Sequence, residues 1–173
     1  MDISENILAE EKIIMELMGT INDPEIPVIS IVDLGIIRSV KIESVFPEVE
    51  GKVTITPTYS GCPAMEVIRT EIKMALLEKG YKKVEIISSL SPAWTTDWMS
   101  EEGKQKLKAY GIAPPLVQEQ VCTPDIFQEN RAIECPQCHS MHTKMVSKFG
   151  STPCKSLYQC EDCKEPFDYF KCH

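Results

Sequence analysis

The chain has 173 residues, with 18 Lys and Arg against 26 Asp and Glu, a net charge of −8, and 43% hydrophobic residues. This is the make-up of an ordinary water-soluble globular chain, long enough for one domain or two small ones with a real core. It contains no apolar run of the ~20 residues a membrane helix needs. An acidic chain without a basic cluster is also a poor general ligand for a phosphate backbone. The start, Met1-Asp-Ile-Ser-Glu-Asn, lacks the basic region of a secretory signal, so the expected compartment is the cytoplasm. Eight cysteines in a reducing compartment point to metal or redox chemistry rather than a disulfide framework. The charge is uneven: residues 1–129 carry a net −9 and residues 130–173 a net +1.

In chain order, apolar residues at helical spacing (Ile7, Leu8, Ile14, Leu17, Met18) predict a helix over 4–18, which Ser4 can cap and Gly19 can end. Asn22-Asp-Pro-Glu-Ile-Pro-Val28 cannot be regular helix, because Pro24 and Pro27 interrupt it, and Asn22 and Asp23 favour a turn. Asp33-Leu-Gly35 predicts another turn. A strand follows over 36–42, with Ile36, Arg38, Val40 and Ile42 expected on one face and Ile37, Ser39 and Lys41 on the other. A hairpin-length connection leads to a returning strand over 52–56, which Pro57 ends because it has no N–H for a ladder.

Ser60-Gly61 is turn chemistry, and Pro63 suits the first turn of a helix predicted over 64–79. Met65, Ile68, Ile72, Ala75 and Leu76 form its core-facing stripe. Cys62 therefore falls at a helix N-terminus, where free N–H groups and the positive end of the macrodipole favour thiolate over thiol. Such a thiolate can attack an electrophile or bind a soft metal; the alternative is a small buried hydrophobe. A third strand is expected over 84–88. The order αββαβ predicts an α+β sandwich of roughly 110 residues.

Residues 91–100 bring both tryptophans, Trp94 and Trp98, within five positions. They are expected to close the core rather than to form a partner surface. A short helix runs from Ser100 to near Tyr110. Residues 112–131, with Pro114, Pro115 and Pro124, read as a linker with little structure of its own, and Cys122 within it has no spaced partner.

Next come Cys135-Pro-Gln-Cys138 and, 21 residues later, Cys160-Glu-Asp-Cys163. Two Cys-x-x-Cys turns at this distance are the signature of a zinc ribbon of short β-hairpins. A segment this small cannot build much core, so the metal should hold it folded. Four thiolates leave no open coordination position, which makes the zinc structural. Spacing alone leaves iron or an iron–sulfur cluster open at Cys135, Cys138, Cys160 and Cys163. His139, His142, Cys154, Cys172 and His173 could pack, replace a ligand or form a second site. All three histidines lie within 139–173, so the first domain has no His-based active site, and no phosphate loop, dinucleotide fingerprint or Ser/His/Asp set is recognised.

The domains expected are 1–112, a linker 113–131, and 132–173. Asn22–Val28, Asp33-Leu-Gly-Ile36, Thr56–Ala64, Pro92–Trp98, Phe149–Cys154 and Glu165–Lys171 together resemble the PaaD family (also PaaJ), the D components of phenylacetyl-CoA epoxidase. The Asp-Pro-Glu segment and Cys62 alone resemble a wider SufT-like family of iron–sulfur assembly factors. The resemblance implies a non-catalytic accessory component of the phenylacetyl-CoA 1,2-epoxidase system of aerobic phenylacetate degradation. That system has a di-iron oxygenase and a reductase carrying flavin and a [2Fe–2S] cluster, which are the implied partners. The implied role is maturation of their iron or iron–sulfur centres, with Cys62, Asp23 and Glu25 in transfer and the ribbon cysteines holding zinc. Two protomers could share one cluster through Cys62, which would make a homo-oligomer. The alternative is a docking component of the oxygenase complex with an inert Cys62 and only a structural zinc.

Overall fold

A computed structural model describes residues 3–115 and 132–171. The chain divides into two compact units, Met1–Trp94 with Trp98–Ser100, and Thr95–Asp97 with Glu101–His173.

In the first unit α1 (Ile3–Met18) buries Ile14 and Met18, one helical turn apart. It is followed by β1 (Ile37–Ser44), β2 (Glu50–Ile55), α2 (Ala64–Glu78) and β3 (Lys83–Ser88), the αββαβ order expected from the sequence. The sheet order is β1-β2-β3, with β1 and β2 antiparallel and β2 and β3 parallel. Gly51, Val53 and Ile55 alternate inward along β2, and α2 lays Ala64, Ile68, Ile72 and Leu76 on the core. Each fully buried aliphatic side chain of this kind is worth about 1.5–3 kcal/mol.

The faces of β1 differ from the simple alternation expected. Ile37 and Ser39, two positions apart, pair with Ile55 and Thr54, which are adjacent. Arg38 is the extra residue of a β-bulge, which breaks the period of two. Ile37, Val40 and Ile42 are buried, and Arg38 turns to the surface. There its guanidinium lies 3.3 Å from the centre of the Trp98 ring.

The tryptophan segment closes the core, as expected. Trp94 is 3% exposed and its indole N–H donates to the Leu34 carbonyl at 3.0 Å. Ser100 donates its N–H to the Asp33 carbonyl and its hydroxyl to the Asp33 carboxylate. Gly35, at φ +75°, makes this approach feasible: a Cβ there would stand 2.5 Å from the Trp98 carbonyl oxygen.

The second unit starts earlier than the sequence boundary at 112. It takes in α3 (Glu101–Tyr110) and β4 (Ile112–Ala113), so Ile112 and Ala113 are strand rather than linker. Residues 116–131 of the expected linker, including Cys122, lie outside the described residues, as do Cys172 and His173. β5 (Thr143–Ser147), β6 (Lys155–Cys160) and β7 (Pro166–Phe170) make the expected hairpins. β4 pairs in parallel with β7, giving a four-stranded sheet in the order β4-β7-β6-β5. The local pattern could not show this pairing, because a two-residue strand carries no periodicity.

Ala113, Ile133, Cys135, Tyr158, Cys160, Phe167 and Tyr169 form the small core of this unit. The Tyr158 ring lies 5.8 Å from both Phe167 (stacked) and Tyr169 (edge-on). Thr143 ties down the approach to the first cysteine pair: its hydroxyl donates to the Ile133 carbonyl and accepts from the Ile133 N–H.

Gly35→Ala is expected to cost about 2–4 kcal/mol in urea unfolding, from a left-handed side-chain residue plus overpacking against Trp98. An unchanged midpoint would show that the Trp98 backbone yields freely.

Candidate functional site

Cys62 lies where the sequence places it, in the turn between β2 and α2. The turn closes with a hydrogen bond from the Cys62 N–H to the Tyr59 carbonyl at 3.3 Å. Pro63 is the residue preceding α2 and supplies no side-chain cap. The first helical N–H, that of Ala64, is turned instead on the Cys62 sulfur. Cys62 is half-buried.

The expected bias toward thiolate is not the net result. Burial pushes the Cys62 thiol up, and the charges of Glu25 and Asp23 push it further. The Ala64 N–H and the Tyr59 hydroxyl pull the other way without prevailing. The helix end does favour thiolate, but desolvation and two carboxylates outweigh it.

Asp23 and Glu25 therefore share the electrostatic environment of Cys62, although they come from the loop before β1. Asp23 is also structural. It is 6% exposed, and its carboxylate accepts the N–H groups of Glu25 at 2.8 Å and Ile26 at 2.9 Å. This turn explains the Asn-Asp-Pro-Glu spelling: the carboxylate supplies acceptors where Pro24 prevents a regular ladder. Among the described residues, Cys62, Asp23 and Glu25 do not bring three ligand atoms close enough to share one ion.

The ribbon cysteines do. The sulfurs of Cys135, Cys138, Cys160 and Cys163 all lie within 4.8 Å of one another. Cys135 and Cys163 are 3.7 Å apart, and Cys138 and Cys160 are 3.5 Å apart. A tetrahedral ion with metal–sulfur bonds of ~2.3 Å sets its ligands about 3.8 Å apart, so the set fits a single ion. The two turns repeat one design. Cys135 donates its N–H to the Ser140 carbonyl and Cys160 donates to the Glu165 carbonyl, both at 2.9 Å. The residue after each second cysteine, His139 at φ 62° and Lys164 at φ 68°, is left-handed.

Backbone N–H groups face the sulfurs: Ser140 to Cys138, Cys163 and Asp162 to Cys160, Glu165 to Cys163. The Cys163 N–H, aided by that of Asp162, holds Cys160 down to about 7. Cys163, despite the Glu165 N–H, is pushed up to about 12 by desolvation and the neighbouring thiols. Four thiolates this close need a cation to offset their mutual repulsion.

Among the described residues, His139, His142 and Cys154 stand apart from this set. His139 pairs with Glu134 at 2.7 Å, a carboxylate that also takes Lys108 at 3.0 Å. His142 pairs with Asp162 at 3.3 Å. Ser140 also donates to Asp162, so the carboxylate lies between the hydroxyl and the imidazole. That order does not let the histidine take the serine proton. Cys154 is buried against the Thr152 hydroxyl. Sequence reasoning missed Tyr59, whose carbonyl accepts the Cys62 N–H; its position three residues before the cysteine was the available signal.

Two family models match the chain. An iron–sulfur cluster assembly protein model covers residues 11–87, and a PaaD zinc beta ribbon domain model covers residues 120–171. A protein of Escherichia coli (strain K12) described as the D component of 1,2-phenylacetyl-CoA epoxidase is 46% identical over 92% of this chain and 91% of its own. An Fe-S protein maturation auxiliary factor of Porphyromonas gingivalis (strain ATCC BAA-308 / W83) is 35% identical over 61% of this chain and 97% of its own. The crystal structure of a Domain of Unknown Function DUF59 from Bacillus anthracis shares the fold, with a TM-score of 0.55 at 24% identity, over 60% of this chain and 96% of that one.

Glu25→Gln removes a charge that raises the Cys62 thiol while keeping the side-chain shape. At a pH between the ordinary thiol value and the raised one, more thiolate forms and alkylation of Cys62 should speed up. A rate equal to or below wild type would mean that the Glu25 charge does not reach the sulfur.

Proposed function

The chain belongs to the PaaD family of 1,2-phenylacetyl-CoA epoxidase components, and on that basis we propose that it is an accessory factor acting in maturation of iron or iron–sulfur centres. Its clients on this reading are the oxygenase and the reductase of the epoxidase system, in the cytoplasm. The chain itself is not the catalyst.

The observation that carries this reading is Cys62 at the mouth of α2, half-buried and flanked by the charges of Asp23 and Glu25, inside the segment that matches an iron–sulfur assembly family. A single protein thiolate can be exchanged, which suits transfer, whereas a closed four-thiolate site suits retention. Iron or a cluster is cargo at Cys62. Asp23 serves the transfer loop chiefly by holding its turn, and Glu25 by its charge. The lack of a ready three-ligand set around Cys62 among the described residues fits cargo whose other ligands come from a client or a second copy.

The ribbon holds zinc in this proposal. Cys135, Cys138, Cys160 and Cys163 would be its ligands, with the backbone N–H groups of Ser140, Asp162, Cys163 and Glu165 orienting the sulfurs. Zinc here contributes folding energy, and a filled tetrahedral shell leaves no place for water. The sulfur spacing supports one ion over a multi-iron cluster, whose irons would each need their own thiolates.

The docking reading keeps part of its ground. Trp94 is buried and cannot serve it, but Val146 and Phe149 on the ribbon are exposed. A complex that survives Cys62→Ser with full client loading would favour docking.

Two measurements test the proposal. Cys62→Ser, co-expressed with the reductase and oxygenase, should lower their iron and acid-labile sulfide while the chain keeps one zinc. Unchanged loading with unchanged epoxidation would sink the transfer role. Cys160→Ser should lose the zinc and change the fluorescence of the ribbon tyrosines, Tyr158 and Tyr169; full zinc retention would refute the tetrathiolate assignment.

A further inference from the structure

A three-stranded sheet has two edges, and an open edge is a template on which another chain can pair. In the first unit each edge meets a charged side chain from a helix. On the β1 edge the Glu11 carboxylate of α1 accepts the Ile42 N–H at 3.0 Å. On the β3 edge the Arg69 guanidinium of α2 donates to the Ile86 carbonyl at 3.1 Å and to the Ser88 hydroxyl. Each charge suits the group it meets: an anion takes the N–H, and a cation gives to the C=O. Just after β3 the Ser89 N–H turns inward to the Ile55 carbonyl of β2. By alternation, Val84, Ile86 and Ser88 turn their backbone groups to the outer edge.

The two edges differ as templates. β1 is interrupted at Arg38 and again between Ile42 and Ser44, and such irregularities blunt an edge. β3 runs in unbroken register with β2 from Lys83 to Ser88. Its sequence also suits pairing with itself. Antiparallel pairing of two copies about Val84 would set Lys83 of each copy opposite Glu85 of the other. The same pairing needs the Ile86 carbonyl as acceptor for the Lys82 N–H of the other copy. Arg69 already holds that carbonyl.

We propose that Arg69 keeps the β3 edge closed to a second copy of this chain, so that the sheet does not extend from molecule to molecule. Glu11 is the lesser guard, because bulges already spoil the β1 edge. Arg69 directly follows the buried Ile68 and so sits on the flank of the core-facing stripe of α2. From there a long side chain lays its stem along the helix and sets a planar fork on the strand, reaching two acceptors at once. The inference does not depend on any role of Cys62.

The test uses the full chain in reducing buffer, with mass measured by light scattering after size-exclusion chromatography over a range of concentrations. Arg69→Met keeps the apolar stem and suits a helix, but removes the fork. It should associate as concentration rises, toward about twice the wild-type mass. Association should slow amide hydrogen exchange at Val84, Ile86 and Ser88. Adding Val84→Pro removes an outward N–H at the centre of the pairing and should restore the wild-type mass. Glu11→Ala should keep the wild-type mass. An Arg69→Met mass equal to wild type at every concentration, or association that survives Val84→Pro, overturns the proposal. A further arm needs no variant: wild-type amides at Val84, Ile86 and Ser88 should exchange at a rate independent of concentration. Protection that grows with wild-type concentration would show the edge open, and would equally overturn it.

Discussion

The parallel pairing of β2 with β3 is the constraint on which the first unit depends. Parallel neighbours cannot be joined by a tight turn, so the chain must leave β2, cross over the sheet and return. α2 is that crossover, and its apolar stripe closes the core. The turn from Ile55 into Ala64 is therefore where a strand end, a helix mouth and the Asn22–Ser30 bridge region can share an environment. Cys62 takes its character from this meeting. The helix end favours its thiolate, while burial and the charges of Asp23 and Glu25 favour its thiol.

The second unit solves a different problem with the same element. Its apolar core is small, and two of its seven members are cysteines that also belong to the four-sulfur set. Packing and the four-sulfur set thus draw on the same residues: Cys135 and Cys160 are buried in one cluster with Tyr158, Phe167 and Tyr169 and also belong to the group that could hold an ion. β4 extends the sheet on the edge away from β5 and covers β7. The protein therefore contrasts four cysteines whose sulfurs lie together with a single cysteine that has no such set around it among the described residues.

What could be read in advance follows the range of the interactions involved. The helix stripes, the strand pair and the two Cys-x-x-Cys turns depend on neighbours within a few residues, and each is readable from the chain. The β1 faces are not, because a bulge at Arg38 inserts one residue, and such a slip leaves no mark on hydrophobic alternation. Trp94 as a core residue is legible from composition and position. Its bond to the Leu34 carbonyl, and the contact of Gly35 with Trp98, are not, because about sixty residues separate the partners.

Local sequence dictates the local chemistry: a cysteine at a helix mouth, an Asp that caps a proline-broken turn, and four cysteines spaced to wrap one ion. These follow from backbone geometry and side-chain type over short distances. Tertiary structure decides the sign of the Cys62 shift, since burial and the charges on a loop some forty residues earlier outweigh the helix end. It also decides that Ile112 and Ala113 join the ribbon sheet. Desolvation and long-range pairing are properties of the folded chain, and no window of sequence contains them.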